Sequence, residues 1–154
     1  MKITLSLKIP PVLVTLSVAL LMWLVSLLTT PMLFLAGIRM LLVGLCLILG
    51  VAVATAGVLI FKNVQTTVNP LRPQNTTCLV KTGVYQFTRN PMYLGLFFML
   101  LGWGCYLANG YALVMSLVFV LYMNHFQIVP EERCLSALFG DEYEAYKQSV
   151  RRWL

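Results

Sequence analysis

The sequence predicts an all-α integral membrane protein with about four transmembrane helices, and three observations carry that reading. Hydrophobic residues fill 60% of the 154 positions and charged residues only 10%, with a mean hydropathy of +0.85. Soluble domains carry about a quarter charged residues, so an ordinary soluble domain and a disordered chain are both excluded. Long uncharged runs separate Lys8 from Arg39, Arg39 from Lys62, and Arg89 from Glu131. A helix needs about 20 apolar residues to cross the hydrocarbon core, so the first two runs hold one span each and the third holds two. Finally, the basic residues fall almost entirely on one side of such a four-span chain. The length allows one domain, residues 1–154.

The first span covers about residues 10–28. Pro10 and Pro11 suit a helix start, where the missing N–H is no loss. Lys2 and Lys8 resemble the charged start of a cleaved leader, but the apolar run is long and Thr29-Thr30-Pro31 is a poor cleavage site. The segment therefore reads as a retained helix. The second span, about 40–61, carries the small-residue stripe Gly50, Ala54 and Gly57, suited to close helix packing. A polar loop follows over residues 62–89, with Pro70, Pro73 and Gly83, too long for a mere connection. The third and fourth spans, about 91–107 and 111–129, are split by Asn109-Gly110. That pair tolerates the left-handed backbone that ends a helix, and it leaves almost no loop, so these spans form an antiparallel hairpin.

With four spans, Lys2, Lys8, Lys62, Arg72, Lys81, Arg89, Arg133, Lys147, Arg151 and Arg152 share one side, and only Arg39 falls on the other. The positive-inside rule makes the first side cytoplasmic. The expected location is the cell (inner) membrane, multi-pass, with both termini cytoplasmic. The net charge of +6 then reflects orientation and contact with anionic headgroups. No basic surface interleaved with aromatics argues for nucleic acid. The four cysteines, Cys46, Cys78, Cys105 and Cys134, lack C-x-x-C spacing and accompany a single histidine, so free thiols are expected and a metal site is not.

Polar chemistry is confined to the loop and the tail. All five acids, Glu131, Glu132, Asp141, Glu142 and Glu144, lie near the C-terminus. Asn124, Gln127 and Glu131 are spaced to share one helix face, which fits either interfacial solvation or a functional site. After Pro130 a short amphipathic helix carries Leu135, Leu138 and Phe139 and breaks at Gly140. A second helix, about 141–152, has Asp141 as N-cap and Tyr143, Tyr146 and Val150 on one side. Two readings of this tail stay open: helices lying on the bilayer, or a lid over a pocket at its surface. Trp23, Trp103 and Trp153 read as packing or interface anchors.

Two segments together are specific. The first is Leu79-Val80-Lys81-Thr82-Gly83-Val84-Tyr85-Gln86-Phe87-Thr88-Arg89-Asn90-Pro91-Met92-Tyr93-Leu94-Gly95. The second is Pro130-Glu131-Glu132-Arg133-Cys134-Leu135 with Phe139-Gly140-Asp141-Glu142-Tyr143, Tyr146 and Val150-Arg151-Arg152-Trp153. In this order, around a helical hairpin, the region of about residues 77–152 resembles the isoprenylcysteine carboxyl methyltransferase family and the related membrane phospholipid methyltransferases, as a short bacterial-type member.

The resemblance implies an S-adenosylmethionine-dependent methyltransferase without a Rossmann domain. Its cofactor site would lie at the cytosolic helix ends, covered by the loop and the C-terminal amphipathic helices. By motif position the cofactor residues are Cys78, Leu79, Val80, Tyr85, Asn90, Pro91, Met92, Tyr93 and Glu131. Tyr85 and Tyr93 suit a ring or cation. Glu131 suits a ribose or ammonium, and the Arg89 fork suits a carboxylate. Asn90 stands where eukaryotic carboxyl methyltransferases have histidine. Gln127 stands where they place a substrate-contacting arginine, which makes it the candidate substrate contact and weakens the case for a carboxylate acceptor. No residue is assigned to catalysis. The implied substrate is a membrane lipid or lipophilic small molecule. The rivals are a phospholipid N-methyltransferase of the same fold and a non-catalytic four-helix membrane protein. Cofactor binding separates the latter from both enzymes.

Overall fold

The computed structural model describes residues 7–33, 35–63 and 76–154. Lys2, Pro70, Arg72 and Pro73 lie outside them. All regular structure among the described residues is helical. Three helices are long and apolar enough to cross a membrane: Pro11–Leu28, Ala36–Lys62 and the continuous Gly110–Phe139. The predicted third span is apolar but shorter, at 17 residues, the lower end of the range of about 17–25 for a spanning helix.

Helix α1 (Pro11–Leu28) has Pro10 at its N-cap and buries Val14, Val18 and Met22. Their spacing of four puts them on one stripe. The opposite stripe, including Leu13, Leu16, Leu20 and Leu27, is exposed, as a lipid-facing surface requires. Helix α2 (Ala36–Asn63) starts a turn before the expected position and takes Arg39 into its first turn. It packs along α3 (Pro91–Leu107), and glycine makes the close approach possible. A Cβ on Gly95 would stand 2.5 Å from the Gly50 carbonyl oxygen and 2.6 Å from the Ala54 Cβ. The small-residue stripe is therefore a backbone-to-backbone seam, with dispersion contact replacing the hydrophobic effect that lipid does not supply. Met22, Tyr93, Leu100, Phe119, Met123 and Ile128 form the core shared by α1, α3 and the following helix.

The hairpin link differs from expectation in one respect. The left-handed residue is Ala108, with φ +47°, and not Asn109 or Gly110. Asn109 is extended and caps α4 (Gly110–Tyr122), its side chain accepting from the Ala112 N–H at 3.0 Å. A capping asparagine satisfies an otherwise orphan donor inside an apolar bundle.

The break expected after Pro130 does not occur. The helix widens into a π turn, Met123–Ile128, and continues as α5 (Val129–Phe139). Proline cannot donate to the carbonyl four residues back. That carbonyl, on Phe126, instead accepts from the Leu7 N–H at 3.1 Å, and the Val129 N–H reaches back five residues to Asn124. The wide turn accommodates the proline without ending the helix. Gly140, at φ +51°, then turns the chain into α6 (Asp141–Ser149). Gly140 occupies the N-cap of α6, displacing Asp141 into the first turn, and the helix ends before Val150.

Candidate functional site

A cleft lies where α2, the loop, α3, α5 and α6 meet. Its first wall is the extended segment Cys78–Val80, in which Val80 is buried and Cys78 exposed. Gly83 then turns at φ +60°, where a Cβ would stand 2.5 Å from Ile60 of α2. The 3-10 turn that follows, Gly83–Gln86, buries Tyr85 against Phe61, ring centroids 5.2 Å apart. Tyr146 of α6 donates from its hydroxyl to the Tyr85 carbonyl at 2.6 Å. Loop and tail are thereby tied across the cleft.

A strap formed by the last residues ties them again. The Arg89 N–H donates to the Arg151 carbonyl at 3.0 Å, and the Asn90 side-chain amide donates to the Arg152 carbonyl at 2.9 Å. Trp153 donates to the Asn124 side-chain oxygen at 3.0 Å and packs edge-on against Phe97. Pairing of residues 150–153 with the start of α3 explains why α6 stops short of the expected end.

The two adjacent glutamates have different surroundings. Glu132 receives Arg89 at 2.9 Å and Arg152 at 2.6 Å. Glu131 has no ion-pair partner among the described residues and instead accepts from the Tyr93 hydroxyl at 2.9 Å. Gln127 is hydrogen-bonded to the same hydroxyl. Three donors in this region lack partners among the described residues: Arg89 Nε, Arg89 Nη1 and the Tyr85 hydroxyl, all buried. Buried polar groups are normally satisfied by protein, by ordered water or by a ligand. Burial raises the phenols of Tyr85 and Tyr143 well above their usual value, with Glu131 adding to the first and Glu132 to the second. Burial pushes Tyr146 up to about 12, against an opposing pull from Arg89. These phenols are neutral donors at physiological pH.

The ten residues implied as cofactor contacts, namely Cys78, Leu79, Val80, Tyr85, Arg89, Asn90, Pro91, Met92, Tyr93 and Glu131, all line this one cleft. Gln127 does not line it. It is 2% exposed and sits behind Tyr93. Glu132, the other member of the acidic pair between which the sequence does not choose, also lines the cleft, as do Phe61, Leu135, Tyr143 and Tyr146, which the motif positions do not include. The shared face of Tyr143 and Tyr146 was a readable signal for two of them. Nothing in the sequence singles out Phe61.

Residues 38–142 match the family described as phospholipid methyltransferase, a stretch containing every cleft residue except Tyr143 and Tyr146. The chain belongs to the phospholipid methyltransferase family. Within this family setting, its relatives divide by extent. A Haemophilus influenzae protein named only "Uncharacterized protein" is 51% identical over 63 residues, covering 41% of this chain and all of that protein. The Protein-S-isoprenylcysteine O-methyltransferase of Schizosaccharomyces pombe is 39% identical over 75 residues, 47% of this chain and 30% of the enzyme. Methanethiol S-methyltransferase 1 of Bradyrhizobium diazoefficiens is 40% identical over 67 residues, 44% of this chain and 22% of the enzyme. The chain thus spans less than a third of either named methyltransferase. No solved structure matches it.

Proposed function

We propose that this chain is an S-adenosylmethionine-dependent methyltransferase of the cell membrane, working at the cytoplasmic face on an amphiphilic or small lipophilic acceptor. One observation carries the reading: opposite, unmet polar groups share an aromatic-walled cleft. The free N–H groups of Arg89 and the Tyr85 hydroxyl suit a carboxylate. Glu131, held by a neutral phenol alone, suits an ammonium or a ribose hydroxyl. Phe61, Met92 and Tyr143 supply apolar and aromatic surface for a nucleobase. A nucleoside joined to a zwitterionic amino acid fits all three, and the donor set therefore fits the cofactor.

When bound, the cofactor supplies an electrophilic methyl on a sulfonium. The chain's own residues then align and exclude water. Arg89, Tyr85 and Glu131 hold the amino-acid arm, while α6 and the loop, tied through Tyr146, shield the site. Alignment of the two reacting groups and removal of water are the main contributions such a site makes to an in-line displacement. Ile128 and Leu135 add apolar surface to the cleft, and Ile128 also belongs to the core of the helix bundle. That suits an acceptor arriving from the bilayer.

Relatives named for isoprenylcysteine and for methanethiol favour oxygen or sulfur acceptors. A phospholipid N-methyltransferase is the second reading, favoured by the family description that matches the chain. Calorimetry on detergent-purified protein tests the common ground. Binding of S-adenosylhomocysteine at about micromolar strength, or about −8 kcal/mol, is expected. A folded protein that takes no ligand would favour a non-catalytic role. Transfer of labelled methyl to lipid extract, thiols, acids or amines then identifies the acceptor. An amine or a thiol must shed a proton before attack, whereas a carboxylate arrives ready, so a rate that rises with pH excludes a carboxylate acceptor, and the labelled product then separates amine from thiol.

A further inference from the structure

Two arginines share one carboxylate behind the cleft, and they share it unequally. Arg152 engages both oxygens of Glu132, Nε on Oε1 at 3.1 Å and Nη2 on Oε2 at 2.6 Å. Arg89 reaches the same carboxylate through Nη2 alone, on Oε1 at 2.9 Å. Its Nε and Nη1 remain buried without partners among the described residues, while the side chain lines the cleft. Two positive charges on one negative charge leave a positive excess, because the neighbouring Glu131 turns to Tyr93. The arrangement is short of one anion.

Arg152 is also held independently of Glu132. Its carbonyl receives the Asn90 amide at 2.9 Å and the Thr88 hydroxyl at 3.3 Å, and Trp153 beside it is anchored on Asn124. The guanidinium is therefore presented by a fixed strap. Arginine and carboxylate favour two-point contact. A Glu132 freed of Arg152 would take that contact from Arg89 and draw a second N–H away from the cleft.

We propose that Arg152 is a positioning residue for ligand binding: by occupying both oxygens of Glu132 it limits Arg89 to one contact and leaves the other Arg89 N–H groups for an anionic group of the ligand. The proposal rests on the reading that the cleft takes S-adenosylmethionine, whose amino-acid carboxylate is that anionic group.

The test compares two probes on the full chain: S-adenosylhomocysteine, and methylthioadenosine, which keeps the nucleoside and thioether but lacks the amino-acid arm. In Arg152→Met, S-adenosylhomocysteine affinity should fall about tenfold, the usual scale for one charge-assisted hydrogen bond, with methylthioadenosine affinity unchanged. Adding Glu132→Gln should restore affinity, since the competing carboxylate is gone. A strap that merely stabilises the fold predicts equal losses for both probes and a further loss in the double variant, and either result overturns the proposal. So does undiminished S-adenosylhomocysteine binding by Arg152→Met. Should that variant not fold, Arg152→Lys, which keeps the charge but only one contact, carries the same comparison with a smaller loss. A folded wild type that binds neither probe overturns the cofactor reading and this proposal together. Wild-type binding with an indifferent Arg152 variant overturns the proposal alone.

Discussion

The two ends of the α3–α4 hairpin treat polar groups in opposite ways. At the linker end Asn109 is fully buried, and its side chain is fully engaged. It accepts from the Ala112 N–H and donates to the Thr29 hydroxyl at 2.7 Å and the Thr30 carbonyl at 3.4 Å. The neighbouring Ala108 carbonyl receives the Met32 N–H at 2.6 Å. At the cleft end Arg89 and Tyr85 keep unpartnered donors, and Glu131 has only a phenol. In an apolar protein, a polar residue whose bonds close within the chain is part of the scaffold. One whose bonds are left open beside a cavity is available to a ligand.

The largest expected effect is all-or-none. Single cysteines at Tyr111 and Arg151, in a background free of other cysteines, should label from opposite sides of oriented vesicles. Labelling of both from one side would break the comparison at its root. Next, Asn109→Ala should destabilise the protein by about 2–3 kcal/mol, from a lost cap and stranded partners, while S-adenosylhomocysteine affinity is preserved. Unfolding in detergent and calorimetry together read this out. Glu131→Gln should do the reverse, costing about 1.5–3 kcal/mol of cofactor binding with the melting temperature of the empty protein little changed. Equal affinity in wild type and variant would remove Glu131 from the site.

The smallest effect is at the tie across the cleft. Tyr146→Phe loses the bond to the Tyr85 carbonyl and should reduce stability by about 1 kcal/mol. The Tyr146 phenol titrates higher in the folded chain than its usual value of 10.0, at about 12. Its contribution is therefore full below pH 10 and is lost as pH rises towards 12. A difference between wild type and variant that grew with pH would contradict this.

Much of this arrangement was legible because apolar runs and glycine stripes are local signals. The run of α1 and the stripe Gly50, Ala54 and Gly57 are read directly from residue type and spacing, whereas their partner Gly95 across the seam is shown only by the fold. The ten motif residues converge because a hairpin returns the chain to the face it left, which brings Tyr93 and Glu131 together across 38 positions. The misplaced features depend on long-range partners. Pro130 looks like a helix end until Leu7 takes up the carbonyl it leaves unsatisfied. Gln127 looks like a cleft residue on a regular helix face, and the π turn sets it behind Tyr93. Arg152 reads as one more basic residue at a membrane surface until the strap is seen to lie along α3.

The tightness of the link between α3 and α4 also bears on how the protein is made. Ala108 and Asn109 alone join the two helices, so neither can be delivered into the bilayer while the other waits in water. The pair is therefore a single unit, with the Asn109 amide at its tip. That amide finds Thr29 and Thr30 only if α1 is already in place. The bonding of one asparagine thus makes the seating of the hairpin depend on α1.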